Sequence, residues 1–153
     1  MATAKRTRTV GASPDQVWEV VSDPHHMPRW WPGVKRMEDV SDDRWTQVFT
    51  TKKGRPVRID FHLLKSDPPG ADGDPPGLLA WEQEIEGTPF ERVLAESITE
   101  IVLEGAEAGT QVTLVQRQKL RGYSRTGGFL LRRATKERLA EALRGLDGIL
   151  TPR

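Results

Sequence analysis

The chain has no cysteine, one tyrosine, and no apolar run approaching the about 18 residues that a membrane-spanning helix needs. Without cysteine there is no disulfide framework, no thiolate nucleophile and no cysteine-ligated zinc or iron–sulfur centre. Net charge is nearly absent as well. The 23 Lys plus Arg residues against 22 Asp plus Glu leave a formal +1, so no global field draws the protein to nucleic acid or an anionic membrane. Met1 to Val10 is basic but lacks an apolar segment behind it, so the expectation is a soluble, unprocessed, cytoplasmic chain with no stable membrane insertion. Gly122 to Gly128, GYSRTGG, lacks the spacing of a phosphate-binding loop and reads as a hinge. No serine sits in a GxSxG elbow, which argues against nucleophilic hydrolysis. No cofactor is expected.

What is present is sharpest between Gly11 and Val34. Ser13 reads as an N-cap with Pro14 at the first helical position and Gln16 three residues on, so cap and amide can satisfy each other's backbone donors. Val17, Trp18, Val20 and Val21 give that helix an apolar side. Asp23-Pro24 repeats the cap-then-proline signal ahead of Met27, Trp30 and Trp31, predicting a second short helix directly after the first.

Around this segment the apolar period is two. Thr3 to Val10 reads as a half-exposed strand whose Lys5, Arg6 and Arg8 require a wet face. Trp45, Gln47, Phe49 and Thr51 share one face of the next strand. Val57, Ile59, Phe61 and Leu63 repeat the alternation opposite Arg58, Asp60 and His62, with a turn at Lys53-Gly54 between. Ser66 to Gly77, SDPPGADGDPPG, carries too much proline and glycine for a regular element and reads as a long mobile loop. Leu79, Trp81, Gln83 and Ile85 form a further inward set. Val93 to Leu103 and Val112 to Leu120 follow, for six or seven antiparallel strands. After Gly127-Gly128 the period changes: Leu131, Thr135, Leu139, Ala142, Leu143 and Leu146 recur at helical spacing, one stripe on a helix of about 20 residues and about 30 Å. Strands in a block, two helices after the first and a closing helix make an α+β order within 153 residues, the size of one ordinary domain.

This order resembles the START-like, or SRPBCC, superfamily, which includes the birch-pollen-allergen-like proteins and the polyketide cyclase/dehydrase-like family. The resemblance is carried by Ala12-Ser13-Pro14 with Val17-Trp18, by Asp23-Pro24 and by Arg29-Trp30-Trp31-Pro32, together with the long last helix. It implies a helix-grip fold over residues 1–153: a curved six- to seven-stranded antiparallel sheet around a long C-terminal helix, two short helices after the first strand, and a cavity between sheet and helix.

The residues themselves point to a cavity that is not dry. Gln47, Thr51, Gln83, Gln116 and Gln118 fall in phase with large apolar neighbours, and Thr135 falls on the helix stripe. A buried amide without partners costs about 1–3 kcal/mol, so this many inward polar groups argue for a wet or ligand-filled space. The competing reading is a one-residue register shift on a strand, which would turn them to solvent. Trp45, Phe49, Phe61, Trp81 and Leu139 complete the expected lining. Of Trp30 and Trp31, projecting about 100° apart, one ring can join the core while the other stands at the cavity rim; Trp30 is taken for the lining, against the alternative that both simply pack.

Other chemistry-bearing residues read more plainly. His25-His26 lacks the spacing of a metal site, and no metal is expected. His62 phases outward, as do Glu82, Glu84, Glu86, Glu96, Glu100 and Glu104, matching a solvated strand face better than a catalytic carboxylate pair. Arg121, Arg125, Arg132 and Arg133 form a local basic patch where a protein partner could dock. The expected function is therefore binding or transport of a small hydrophobic or lipid-like ligand, with no catalytic residue assigned. Two alternatives stand. The resemblance brings in polyketide aromatase/cyclase chemistry, for which Tyr123, Arg58 and Arg117 are the nearest candidates although both arginines phase outward. It also brings in co-chaperone-like protein interaction.

Overall fold

The computed structural model describes residues 2–122 and 125–151, except for the side chains of residues 125 and 126. Seven strands, β1 (Ala2–Val10), β2 (Val34–Glu38), β3 (Arg44–Thr50), β4 (Pro56–Asp67), β5 (Gly77–Gln83), β6 (Leu94–Ala106) and β7 (Gly109–Leu120), form one antiparallel sheet in the order β1-β7-β6-β5-β4-β3-β2. Helices α1 (Pro14–Val21) and α2 (Met27–Trp30) follow β1, and α3 (Arg125–Leu150) closes the chain. This is the helix-grip arrangement that the order of sequence signals implies.

The caps form as their residues dictate. Ser13 Oγ accepts from Gln16 N at 3.3 Å while Gln16 Oε1 accepts from Ser13 N at 3.0 Å, and Asp23 Oδ1 accepts from His25 N at 3.0 Å. The 26 residues of α3 span about 39 Å at 1.5 Å per residue, longer than expected because the helix starts at Arg125 and runs through Gly127-Gly128. The glycine pair is therefore helical and not a hinge; Tyr123 lies outside the described residues.

Two further expectations are revised and one is extended. Thr51 lies beyond the end of β3 and is exposed, so it does not share the inward face. Lys5, Arg6 and Arg8 are exposed, as expected, although Arg6 and Arg8 are in phase with the helix-facing side of β1, opposite Leu114 and Val112 of β7. Because β1 is an edge strand, they bend around it: Arg6 Nε donates to the Lys136 carbonyl at 3.4 Å and Arg8 Nε to Asp147 at 2.7 Å, clasping α3 to the sheet margin. The proline- and glycine-rich stretch is also more structured than its composition predicts. β4 continues to Asp67, Gly70 N donates to the Pro75 carbonyl at 2.9 Å, and Gly73, at φ +78°, packs against Gly105 of β6 with no room for a Cβ on either.

The apolar core sits under the C-terminal half of α3. Leu139, Ala142, Leu143 and Leu146 are buried there against Val112, Leu114, Ile101, Leu103 and Leu79. At the same end, Gly145 lets α2 approach closely: a Cβ on it would lie 2.7 Å from the Trp30 carbonyl oxygen. The concave face changes character along its strands. Between β6 and β7 the inward pairs read Leu103 with Val112, Ile101 with Leu114, Thr99 with Gln116 and Ser97 with Gln118, two apolar rungs followed by two polar ones.

Candidate functional site

The polar end of the sheet and the middle of α3, at Arg138, border a cavity of about 70 Å³. Gln47, Phe49, Phe61, Trp81, Gln83, Gln116 and Gln118, all expected there, line it. The glutamine register is thus the inward one. Gln116 Nε2 donates to Thr99 Oγ1 at 3.0 Å and Gln118 Nε2 to Ser97 Oγ at 3.5 Å, straight across the β6–β7 pairing. Thr135 is buried on α3 and donates to Gln118 Oε1 at 3.4 Å, so it backs a lining residue. Gln47, 2% exposed, has only the thioether of Met27 as acceptor, at 3.0 Å, a weak partner. Among the described residues Gln83 Nε2 is buried with no hydrogen-bond partner, which marks a donor open to an acceptor in the cavity.

Three of the expected lining residues stand elsewhere. Leu139 is fully buried in the apolar core, because it heads the stripe it shares with Leu143 and Leu146. Trp30 is buried between α2 and α3, and its neighbour Trp31 supplies the cavity wall. Trp45 lies behind the wall, facing a separate void of about 80 Å³. The rings nevertheless form one chain. Trp30 meets Trp31 edge-on at 5.4 Å, Trp31 meets Trp81 at 5.9 Å, Trp81 meets Trp45 at 5.8 Å, and Trp45 stacks on Phe61 at 6.3 Å. Four tryptophans thereby weld the short helix to the sheet and stiffen one side of the cavity.

Sequence reasoning missed Trp31, Ile59, Ser97, Thr99 and Arg138. Arg138 had a signal, since it lies three residues after Thr135 on the same side of the helix. Together with Phe49 and Ile59 it also lines an open outer cleft of about 550 Å³, bounded by Pro32, Gly33, Val57, Phe90 and Glu141. Those three side chains separate the inner cavity from the cleft.

The remaining candidates lie outside the cavity. His62 lies between Glu82 and Glu84, at 3.2 and 3.5 Å. Arg58 pairs with Glu38 at 2.8 Å and Arg117 with Glu100, so both in-strand arginines point away from the cavity. Arg58 and then Arg36 hold the Glu38 carboxyl below its ordinary range. His25 and His26 both turn to Asp23, at 3.0 and 3.7 Å; partial burial pushes that carboxyl up, but the hydrogen bonds from His25 outweigh it and the net shift is downward. Arg121, Arg132 and Arg133 are exposed beside the exposed Phe129 and Leu130, and Arg121 Nε donates to the Leu94 carbonyl; the Arg125 side chain lies outside the described residues.

A sequence profile described as polyketide cyclase / dehydrase and lipid transport matches residues 1–150. The chain belongs to this family. No curated protein matches its sequence. Among solved structures, the family fold recurs in the di-domain ARO/CYC BexL from the BE-7585A biosynthetic pathway, with a TM-score of 0.75 and 22% identity over 97% of this chain and 46% of that one. The di-domain ARO/CYC StfQ from the steffimycin biosynthetic pathway follows at 0.73 and 13%, over 97% of this chain and 50% of the other. A START superfamily protein from Mycobacterium smegmatis has a TM-score of 0.73 at 11% identity, over 98% of this chain and 97% of its own. At these identities the likeness establishes the fold. This chain spans about half the length of the two ARO/CYC proteins.

Proposed function

We propose that this family member binds a small hydrophobic molecule bearing oxygen functions in the space between the sheet and α3. The observation that carries this reading is the unpartnered Gln83 amide in a cavity walled by Trp31, Phe61 and Trp81. At about 30 Å³ per water, the inner cavity alone holds about two waters. The outer cleft supplies the missing volume, because rotation of Phe49, Ile59 and Arg138 joins the two spaces into one of ordinary ligand-site size. The ligand's apolar body would occupy the cleft and its carbonyl or hydroxyl groups would meet Gln83 and the Gln116 and Gln118 row. Removing about 200 Å² of ligand surface from water contributes about 5 kcal/mol at about 25 cal/mol per Å². Among the described residues lining the inner cavity only Arg138 is ionisable, a lining furnished for binding more than for acid–base chemistry.

Native mass spectrometry of the purified protein, followed by denaturing extraction, tests this. A small molecule released on unfolding supports the reading, and a clean apo mass from several expression hosts, with Gln83→Leu leaving every tested affinity unchanged, sinks it.

A second reading is favoured by the family and by Arg138 at the cavity mouth: aldol ring closure of a poly-β-keto chain, with the guanidinium stabilising enolate oxygen. Incubation with a poly-β-keto analogue separates the two, since a binder returns it unchanged and a cyclase returns a cyclised product that Arg138→Gln suppresses.

A further inference from the structure

We infer that the molecule taken up at this site carries a carboxylate, and that Arg138 is the residue that selects it. The inference rests on the binding reading above and specifies its ligand class. Arg138 makes no hydrogen bond or ion pair among the described residues, although Glu141 lies three residues further along the same helix. Its charge is therefore not already spent. Other arginines of the sheet are engaged: Arg8 with Asp147, Arg58 with Glu38, Arg44 with Glu84 and Arg117 with Glu100.

Position makes the free guanidinium informative. Arg138 alone among α3 residues lines both the inner cavity and the outer cleft, whereas Glu141 borders only the cleft. An anion at the boundary meets the arginine before the glutamate. The rest of the described inner lining is uncharged, with aromatic walls and amide or hydroxyl groups, so none of these residues competes for the guanidinium or repels an acid. A guanidinium presents two parallel N–H donors that match the two oxygens of a carboxylate, a geometry that neither lysine nor an amide reproduces. The open cleft beyond Phe49 and Ile59 takes the apolar body attached to that head group.

The test is calorimetric titration of the full chain with 2-naphthoic acid and, separately, with the isosteric neutral 2-naphthamide. The wild type is expected to bind the acid about tenfold more tightly, the scale of one charge-assisted contact, with the preference shrinking as salt is added. Arg138→Gln removes the preference by weakening the acid alone, Arg138→Lys restores part of it, and Glu141→Gln preserves or widens it. Arg138 is exposed, so these variants fold, which circular dichroism verifies. Equal affinity of the wild type for acid and amide overturns this inference while leaving the binding reading intact. Binding of neither, together with a clean apo mass, overturns both.

Discussion

Gln116 of β7 stands directly across from Thr99 of β6, and its side-chain amide donates to the threonine hydroxyl at 3.0 Å. Thr99→Val leaves that amide without an acceptor while barely changing shape. The expected cost is about 1–3 kcal/mol in a urea unfolding curve, and the double variant with Gln116→Leu recovers most of it. A double variant as unstable as the sum of its parts would show that the two groups do not act as a pair.

Gln83 is expected to behave in the opposite sense. Its buried Nε2 already lacks a partner, so Gln83→Leu removes a penalty and raises stability by on the order of 1 kcal/mol while lowering ligand retention. Thermal unfolding read beside native mass spectrometry checks both halves. A destabilised variant with undiminished retention contradicts the assignment.

Gly145 is where helix α3 touches helix α2. Gly145→Ala forces a Cβ to 2.7 Å from the Trp30 carbonyl and is expected to cost about 1–3 kcal/mol, despite the better helix propensity of alanine. Gly148→Ala, with open space around its Cβ position, serves as the control and is expected to be neutral or stabilising, both read from urea midpoints.

Much of this architecture could be read from periodicity, and the places where reading failed share a cause. The stripe Leu139, Ala142, Leu143 and Leu146 and the inward glutamines follow from the helical and strand periods alone. Strand β2 had no such signal: VKRME does not alternate, and its pairing with β3 shifts register between Val34 and Arg36. The choice between Trp30 and Trp31 was open because the rotation of a four-residue helix is set by what it packs on, here Gly145, more than 100 residues away. Arg6 and Arg8 are exposed as read, but their contacts with α3 were not legible, because strand position at a sheet edge, beside the helix, is a property of the pairing order. Leu139 and Thr135 sit on the expected side of α3, but where the core ends and the cavity begins depends on which rung of the sheet lies beneath.

The Arg8 and Asp147 contact gives a pH dependence with a definite sign. The Thr151 hydroxyl above all holds the Asp147 carboxyl below its ordinary value of 3.8; partial burial opposes it, and Arg8 adds to the lowering. A carboxyl lowered in the folded state adds stability above its unfolded value, and that stability is lost as pH falls through the folded value. Asp147→Asn is therefore expected to cost less than about 1 kcal/mol at neutral pH, because the pair is partly exposed and screened. The gap from wild type should close in acid below pH 3.8, measured by urea unfolding at a series of pH values. A gap that widens in acid would reverse the assignment.

The rungs between β6 and β7 divide the labour of the concave face, with Leu103, Val112, Ile101 and Leu114 holding α3 down and Thr99, Gln116, Ser97 and Gln118 facing the cavity. Architecture and taste are thus written in different letters of the same two strands. A lineage can exchange the polar letters pair by pair, trading one guest for another, without loosening the grip that keeps the helix in place.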